Sequence, residues 1–275
     1  MTGEIGHEKL RVYRLALDFV VWLQAVEVKP RRSEAVMDHL DRAADSVVEN
    51  IANGNSRRST AERRKYFDVA IGSALECAAC LDILGGRRLI AAECRAKGKQ
   101  LVCSLVNMLH GLRDPARKHV SEEREPYGTP DSEAVRFAHE TLDVYQAALA
   151  YAIWSGRFLD TAKLTPAEER RLDAVATSLV LNVAEGNGRF AEADRVRFLE
   201  FAQTAAMRAA AGLDLLVAKG RLSPAKAEEG KRLLARVVPL LLGLRGSIER
   251  KAGEREGRVA KDYDQDDDEE SAQAS

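Results

Sequence analysis

The chain has 275 residues, of which 42 are basic and 43 acidic, for a net charge of −1; that length suits two domains, each able to bury a core of its own. Ala, Leu, Arg and Glu are abundant and aromatic residues scarce, which favours helix. No apolar run reaches the roughly 18–20 residues that span a bilayer, and residues 1–10 lack the basic segment and apolar core of a secretory signal, so the expected compartment is the cytoplasm, with no membrane partner.

Helical periodicity runs through the whole chain, and no alternating strand pattern sits between turn signals. The first helix is expected over residues 10–22 with an inward stripe of Tyr13, Leu17, Val20 and Val21. Ser33 is an N-cap for a second helix whose stripe is Val36, Leu40, Ala43, Val47 and Ile51. Gly54 follows that stripe and suits the left-handed position that ends a helix. Ser59 with Glu62 reads as a capping box opening a third helix, with Phe67, Ala70, Ala74, Ala78 and Leu81 facing inward. Gly85-Gly86 breaks it, and a fourth helix covers residues 92–112, stopping before Pro115. Residues 115–131, rich in Pro, Gly and charge, read as a linker.

The chain then repeats itself. Asn50-Ile51-Ala52-Asn53-Gly54-Asn55-Ser56-Arg57 returns as Asn182-Val183-Ala184-Glu185-Gly186-Asn187-Gly188-Arg189, an offset of 132. The same offset pairs Ser46 with Ser178, Arg63 with Arg195, and Leu81-Asp82 with Leu213-Asp214, with local drift near Arg88 and Arg221. The first helix of the second copy aligns at 125 instead, Leu17-Asp18 with Leu142-Asp143, so seven extra residues near Ser155 are expected to lengthen its first loop. Thr165, Pro166 and Glu168 combine an N-cap, a proline at the first helical position and a capping box. Residues 233–244 are apolar nearly all round and contain Pro239; that helix is expected to be slightly kinked and to face the first bundle or another subunit.

From Glu256 onward eight acids stand against two bases, leaving residues 1–255 at +5. This end is expected to be disordered, either solubilising the chain or competing internally for a basic surface. Four helices per copy with short loops predict an all-α tandem of two up-down four-helix bundles: residues 1–114, the linker 115–131, residues 132–252, and the acidic tail 253–275.

At Asn182, Val183, Ala184, Glu185, Gly186 and Arg189, followed by Phe198 and Leu199, the sequence resembles the four-helix-bundle proteins encoded within 23S rRNA intervening sequences. That family carries an Asn-Ile-Ala-Glu-Gly-x-x-Arg segment at the end of helix two and an aromatic-rich start to helix three. The first copy matches at Asn50, Ile51, Ala52, Gly54, Arg57, Tyr66 and Phe67 but has Asn53 where the family has Glu. The family's Gly-Ser-x-x-Glu is present as Gly72-Ser73-Ala74-Leu75-Glu76 and lost in the second copy. The resemblance implies a non-enzymatic bundle, commonly oligomeric. One relative, the accessory variability determinant of diversity-generating retroelements, implies nucleic acid and a reverse transcriptase as partners.

Asn50, Gly54, Asn182, Glu185 and Gly186 read as a structural motif, the glycines reversing the chain and the asparagines bonding backbone groups near the helix end. Arg57, Arg58, Arg63, Arg64 and Lys65 place five bases within nine residues at a helix start, where they oppose the helix dipole and a polyanion would relieve the conflict. Arg189, Arg195 and Arg197 are their counterparts. Lys29-Pro30-Arg31-Arg32 is a further basic loop. Cys77, Cys80, Cys94 and Cys103 map mainly onto Ala or Gly in the second copy and read as small apolar residues, not metal ligands. His7, His39, His110, His119 and His139 share no motif, and no catalytic signature or cofactor-binding loop is present. The expected function is a non-enzymatic module that binds structured RNA or DNA, or a nucleic-acid enzyme such as a reverse transcriptase. The alternative is a protein–protein assembly scaffold, with further copies of the chain as partners.

Overall fold

A computed structural model describes residues 6–29, 34–114 and 137–273, of which 160–161 and 255–273 are described in backbone only; the described residues form eight α-helices and two short 3-10 turns. The helices are α1 Arg11–Gln24, α2 Glu34–Ser56, α3 Thr60–Gly86, α4 Ala92–Arg113, α5 Asp143–Thr161, α6 Pro166–Gly188, α7 Glu192–Ala218 and α8 Pro224–Gln273. There is no strand among the described residues. α1–α4 pack in sequence with α1 closing on α4, and α5–α8 repeat that circuit, giving two four-helix bundles. Ser33, Pro30 to Arg32 and the linker 115–131 lie outside the described residues.

Helix starts in the two bundles keep one register: Arg11 and Asp143, Glu34 and Pro166, Thr60 and Glu192, Ala92 and Pro224 are all 132 apart. The offset of 125 for the first helix is therefore corrected. At this single offset there is no seven-residue insertion and no longer first loop; α5 instead runs on for 19 residues where α1 has 14. The shared register also aligns His7 with His139, each edge-on to a tyrosine (Tyr13 at 4.7 Å, Tyr145 at 4.6 Å), so these two histidines do share a setting. Nor is there drift near Arg88. After α3 the Leu89 amide donates to the Leu84 carbonyl (2.9 Å), and after α7 the Arg221 amide donates to Leu216 (2.8 Å). These six-residue closures place Arg88 (φ 58°) and Gly220 (φ 66°) in the left-handed region.

Other expectations divide by element. The α2 stripe is wholly buried, as is that of α3. In α1 the buried stripe is Val12, Ala16, Phe19 and Leu23, leaving Leu17 and Val21 exposed; apolar residues occur on both sides of this helix, so composition alone did not fix its phase. Ser59 is the N-cap of α3 but its side chain makes no capping hydrogen bond, whereas the Thr165–Glu168 box is formed. The segment 233–244 turns Leu234, Val237 and Leu241 into its own bundle against α5 and α7, not toward the first bundle. α8 continues to Gln273, so the backbone of the tail expected to be disordered extends the helix; after Pro239 no proline interrupts it.

The two bundles meet where α6 crosses α3 and α2 and α5 reaches α3. This explains why α3 is buried nearly all round between Ala70 and Leu84: it has neighbours on every side. Small residues allow that crowding, and Cys77 and Cys80 serve there as small apolar groups whose thiols burial pushes well up. Polar contacts fix the orientation. Arg87 at the end of α3 donates through Nη1 to Asp173 (2.5 Å) and through Nε to the Ala152 carbonyl (3.0 Å). Asp82 accepts from Lys99 (3.0 Å) and Arg95 (3.1 Å) of its own bundle and from the Tyr145 hydroxyl (2.9 Å) of the other. Lys99 also donates to Glu140 (2.5 Å).

Two outcomes are expected. Arg87→Ala leaves the buried Asp173 carboxylate unpaired and lowers the unfolding free energy by about 3–5 kcal/mol in urea titration. Glu168, held at about 2 by the Thr165 amide and Lys219, contributes stability above its usual value of 4.5 that is lost as pH falls toward 2. The melting-temperature gap between wild type and Glu168→Gln therefore narrows over that window; a gap independent of pH contradicts the assignment.

Candidate nucleic-acid interface

The asparagine of the repeated motif makes the same contacts in both bundles. Asn50 Nδ2 donates to the Ser46 carbonyl (2.7 Å) and hydroxyl (3.1 Å), and Asn182 repeats this with Ser178 (2.7 and 3.0 Å). Both asparagines thus tie the last turns of α2 and α6 to themselves. Gly54 is not a left-handed terminator, because α2 continues to Ser56. It is there for closeness: a Cβ would lie 2.7 Å from the Phe67 ring of α3. At Gly186 a Cβ would lie 2.9 Å from the Cβ of Phe198. The motif therefore sets how tightly the second helix of each bundle meets the third.

The eight basic residues then separate by role. Arg57 donates to the Tyr66 hydroxyl (2.7 Å) and stacks on its ring, and Arg63 lies over Phe67. Arg64 donates to the Arg113 carbonyl (3.3 Å) and lies 3.7 Å from Asp114. Arg58 and Lys65 are exposed, with no acidic partner among the described residues. Arg189 is mostly buried: it pairs with Glu185, stacks on Phe198, and lies against Gly72 of the first bundle. Burial raises the Glu185 carboxyl while the Arg189 guanidinium opposes that shift. Arg189 belongs to the boundary between bundles and not to a free surface. The Arg195 Nε is buried, whereas Arg197 is exposed and stacks over Phe201 at 5.4 Å.

Sequence reasoning missed Arg113 and the use of Phe190. The Arg113 guanidinium pairs with Asp68 and lies 3.4 Å from the centroid of the Phe190 ring, whose other neighbour is His110. Arg64 and Phe190 thus flank Arg113, and the turn between α6 and α7 adjoins the basic start of α3. The signal for this lay in the second copy, where the position of Arg58 is taken by Phe190: an exposed aromatic in place of a base.

Asp82, His139 and Glu140 also converge, their ligand atoms within 4.8 Å. Lys99 already donates to both carboxylates, and burial lowers the His139 imidazole to about 3, so it is neutral. The cluster reads as a salt-bridged joint.

Residues 8–111 match the family model described as 23S rRNA-intervening sequence protein. That match lies wholly within the first bundle. No curated protein and no solved structure matches the chain. Within this family segment lie the whole basic run Arg57–Lys65 and the Gly72–Glu76 stretch that receives Arg189. Across the described residues, no helix is long and apolar enough to cross a membrane.

Gly54→Ala should cost about 1–3 kcal/mol, because the buried Phe67 ring must shift to admit the methyl group. Chemical denaturation measures this; an unchanged midpoint contradicts the close-approach role.

Proposed function

We propose that the chain is a non-enzymatic module that binds structured RNA, or a nucleic-acid enzyme carrying it, through the basic start of α3 and the adjoining turn of the second bundle. The observation that carries this reading is the placement of Arg58 and Lys65, exposed and without acidic partners among the described residues, beside Arg57, Arg63 and Arg64 at a helix N-terminus. The first-turn amides there already favour anions, so unneutralised bases raise the local positive potential further. Phosphates would relieve that repulsion. Arg57 on Tyr66, Arg113 on Phe190 and Arg197 on Phe201 add guanidinium–aromatic pairs, which suit stacking on unpaired bases. The common register of the bundles supports an origin by tandem duplication, with the first copy as the phosphate-contacting one.

The test replaces Arg58, Lys65 and Arg197 by Ala together, all three being exposed. Binding to a fluorescent RNA stem-loop at several salt concentrations should weaken. The slope of log affinity against log salt should fall by roughly two to three, about 0.7–0.9 for each phosphate that is no longer neutralised. Unchanged affinity and slope, with the fold intact by circular dichroism, would sink the proposal.

A further inference from the structure

A groove of about 760 Å³ runs between α5 and α8 of the second bundle, a volume that suits a small molecule. Ile153, Trp154, Phe158 and Leu233 give it an apolar lining, and Arg157, Lys226, Glu229 and Arg232 supply its charge. Ile153 rests on Gly86, at the end of α3 and roughly 40 Å along that helix from its basic start. The groove is therefore separate from the surface assigned above to RNA. We propose that it binds a small phosphorylated aromatic molecule, a flat ring lying against Trp154 and Phe158 with its phosphate held by Arg157 and Arg232. A nucleoside monophosphate has this chemistry.

The four charges are not equivalent. Glu229 accepts from Trp154 Nε1 (2.8 Å) and from Lys226 Nζ (2.6 Å), and the ammonium, then the indole, hold its carboxyl below the usual value. Lys226 also lies 5.7 Å from the centre of the indole ring. Acid and ammonium thus satisfy each other. Arg157 has no acidic partner among the described residues, and Arg232 reaches only the exposed Glu228 at 3.7 Å, a pair that water screens. Two guanidiniums are left over. A phosphate monoester carries about −1.5 to −2 at neutral pH, so charge complementarity favours a phosphate over a single carboxylate. Guanidiniums also match phosphate oxygens with parallel N–H donors.

The aromatic side is already in place. Trp154 and Phe158 are stacked, their centroids 5.7 Å apart and their planes 11° from parallel. Trp154 is seated by Gly230 on α8, where a Cβ would collide with the indole. The first bundle has the same seat, with Trp22 on Gly98, but its surround differs. There Ala25, Val26, Cys94 and Gln100 stand where the second bundle has Arg157, Phe158, Lys226 and Arg232. The tryptophan on glycine is thus common to both bundles, and the bases with the second ring belong to one. Holding α5 on α8 does not require them, since the first bundle closes α1 on α4 without them. Bases gathered over an apolar groove, with no fold-building work to do, point to an anionic ligand.

The test uses the chain's two tryptophans, Trp22 and Trp154, as paired reporters. Their indole N–H signals are followed by heteronuclear NMR of the full chain and assigned with Trp154→Phe. Adenosine monophosphate titrated to about 5 mM at low salt should shift the Trp154 signal to saturation and leave that of Trp22 in place. Adenosine and inorganic phosphate should each bind at least about tenfold more weakly, because each engages only half of the groove. Arg157→Ala combined with Arg232→Ala, both sites being exposed, should weaken the nucleotide by about tenfold and leave RNA stem-loop binding unchanged. No shift of Trp154, an equal shift of Trp22, inorganic phosphate as effective as the nucleotide, or full binding by the double variant would each overturn the proposal. Loss of the stem-loop together with the nucleotide would overturn it too, since the groove would then be part of the RNA surface.

Discussion

Asp82 is a carboxylate at the centre of the molecule, 2% exposed, and its pairing sets the relation of the two bundles. An ionised group so placed loses several kcal/mol of hydration and persists only if neighbouring charges and donors replace the water. Its own bundle supplies Lys99 and Arg95, and the other supplies the Tyr145 hydroxyl and, through Lys99, Glu140. Two acids and two bases balance. The joint is polar and directional, so it specifies an orientation as apolar contact alone would not. With Arg87 clamped on Asp173 at the other end of α3's exit turn, α6 is held along α3, and the turn after α6 comes to rest beside Arg113. The composite basic surface is a consequence of that docking.

Regular periodicity was legible in the sequence, and partners across bundles were not. The α2 stripe could be read because its five apolar positions recur at helical spacing among polar ones. α1 could not, because apolar residues cover two of its faces; the face left outside is the one that shows Leu17 and Val21. The Thr165 box formed where Pro166 fixes the first helical φ, while Ser59 and Glu62, lacking that constraint, do not close one. Lys99 and Glu140 are separated by 41 positions and Tyr145 and Asp82 by 63, with no local pattern to announce either pair. The basic run at the start of α3 was visible as composition. Arg189 against Gly72 and Phe190 on Arg113 join segments of different bundles, with no local pattern to announce them.

The two bundles differ in their surfaces while keeping one backbone register. The first carries its charge at the start of α3, and the second has put Phe190 and Val196 where the first has Arg58 and Arg64. The shared motif survives in both because it does mechanical work: the asparagine ties the helix end, and the glycine lets the next helix approach. What changed freely were side chains outside those contacts. Under the proposed function the first bundle contacts phosphate and the second holds the geometry.

The most direct measurement is amide hydrogen exchange of the full chain with and without an RNA stem-loop at low salt. The account predicts slowed exchange on RNA addition at the start of α3 and at the turn between α6 and α7 together, because docking makes them one surface. Protection confined to a single bundle, or none at either segment, would contradict it.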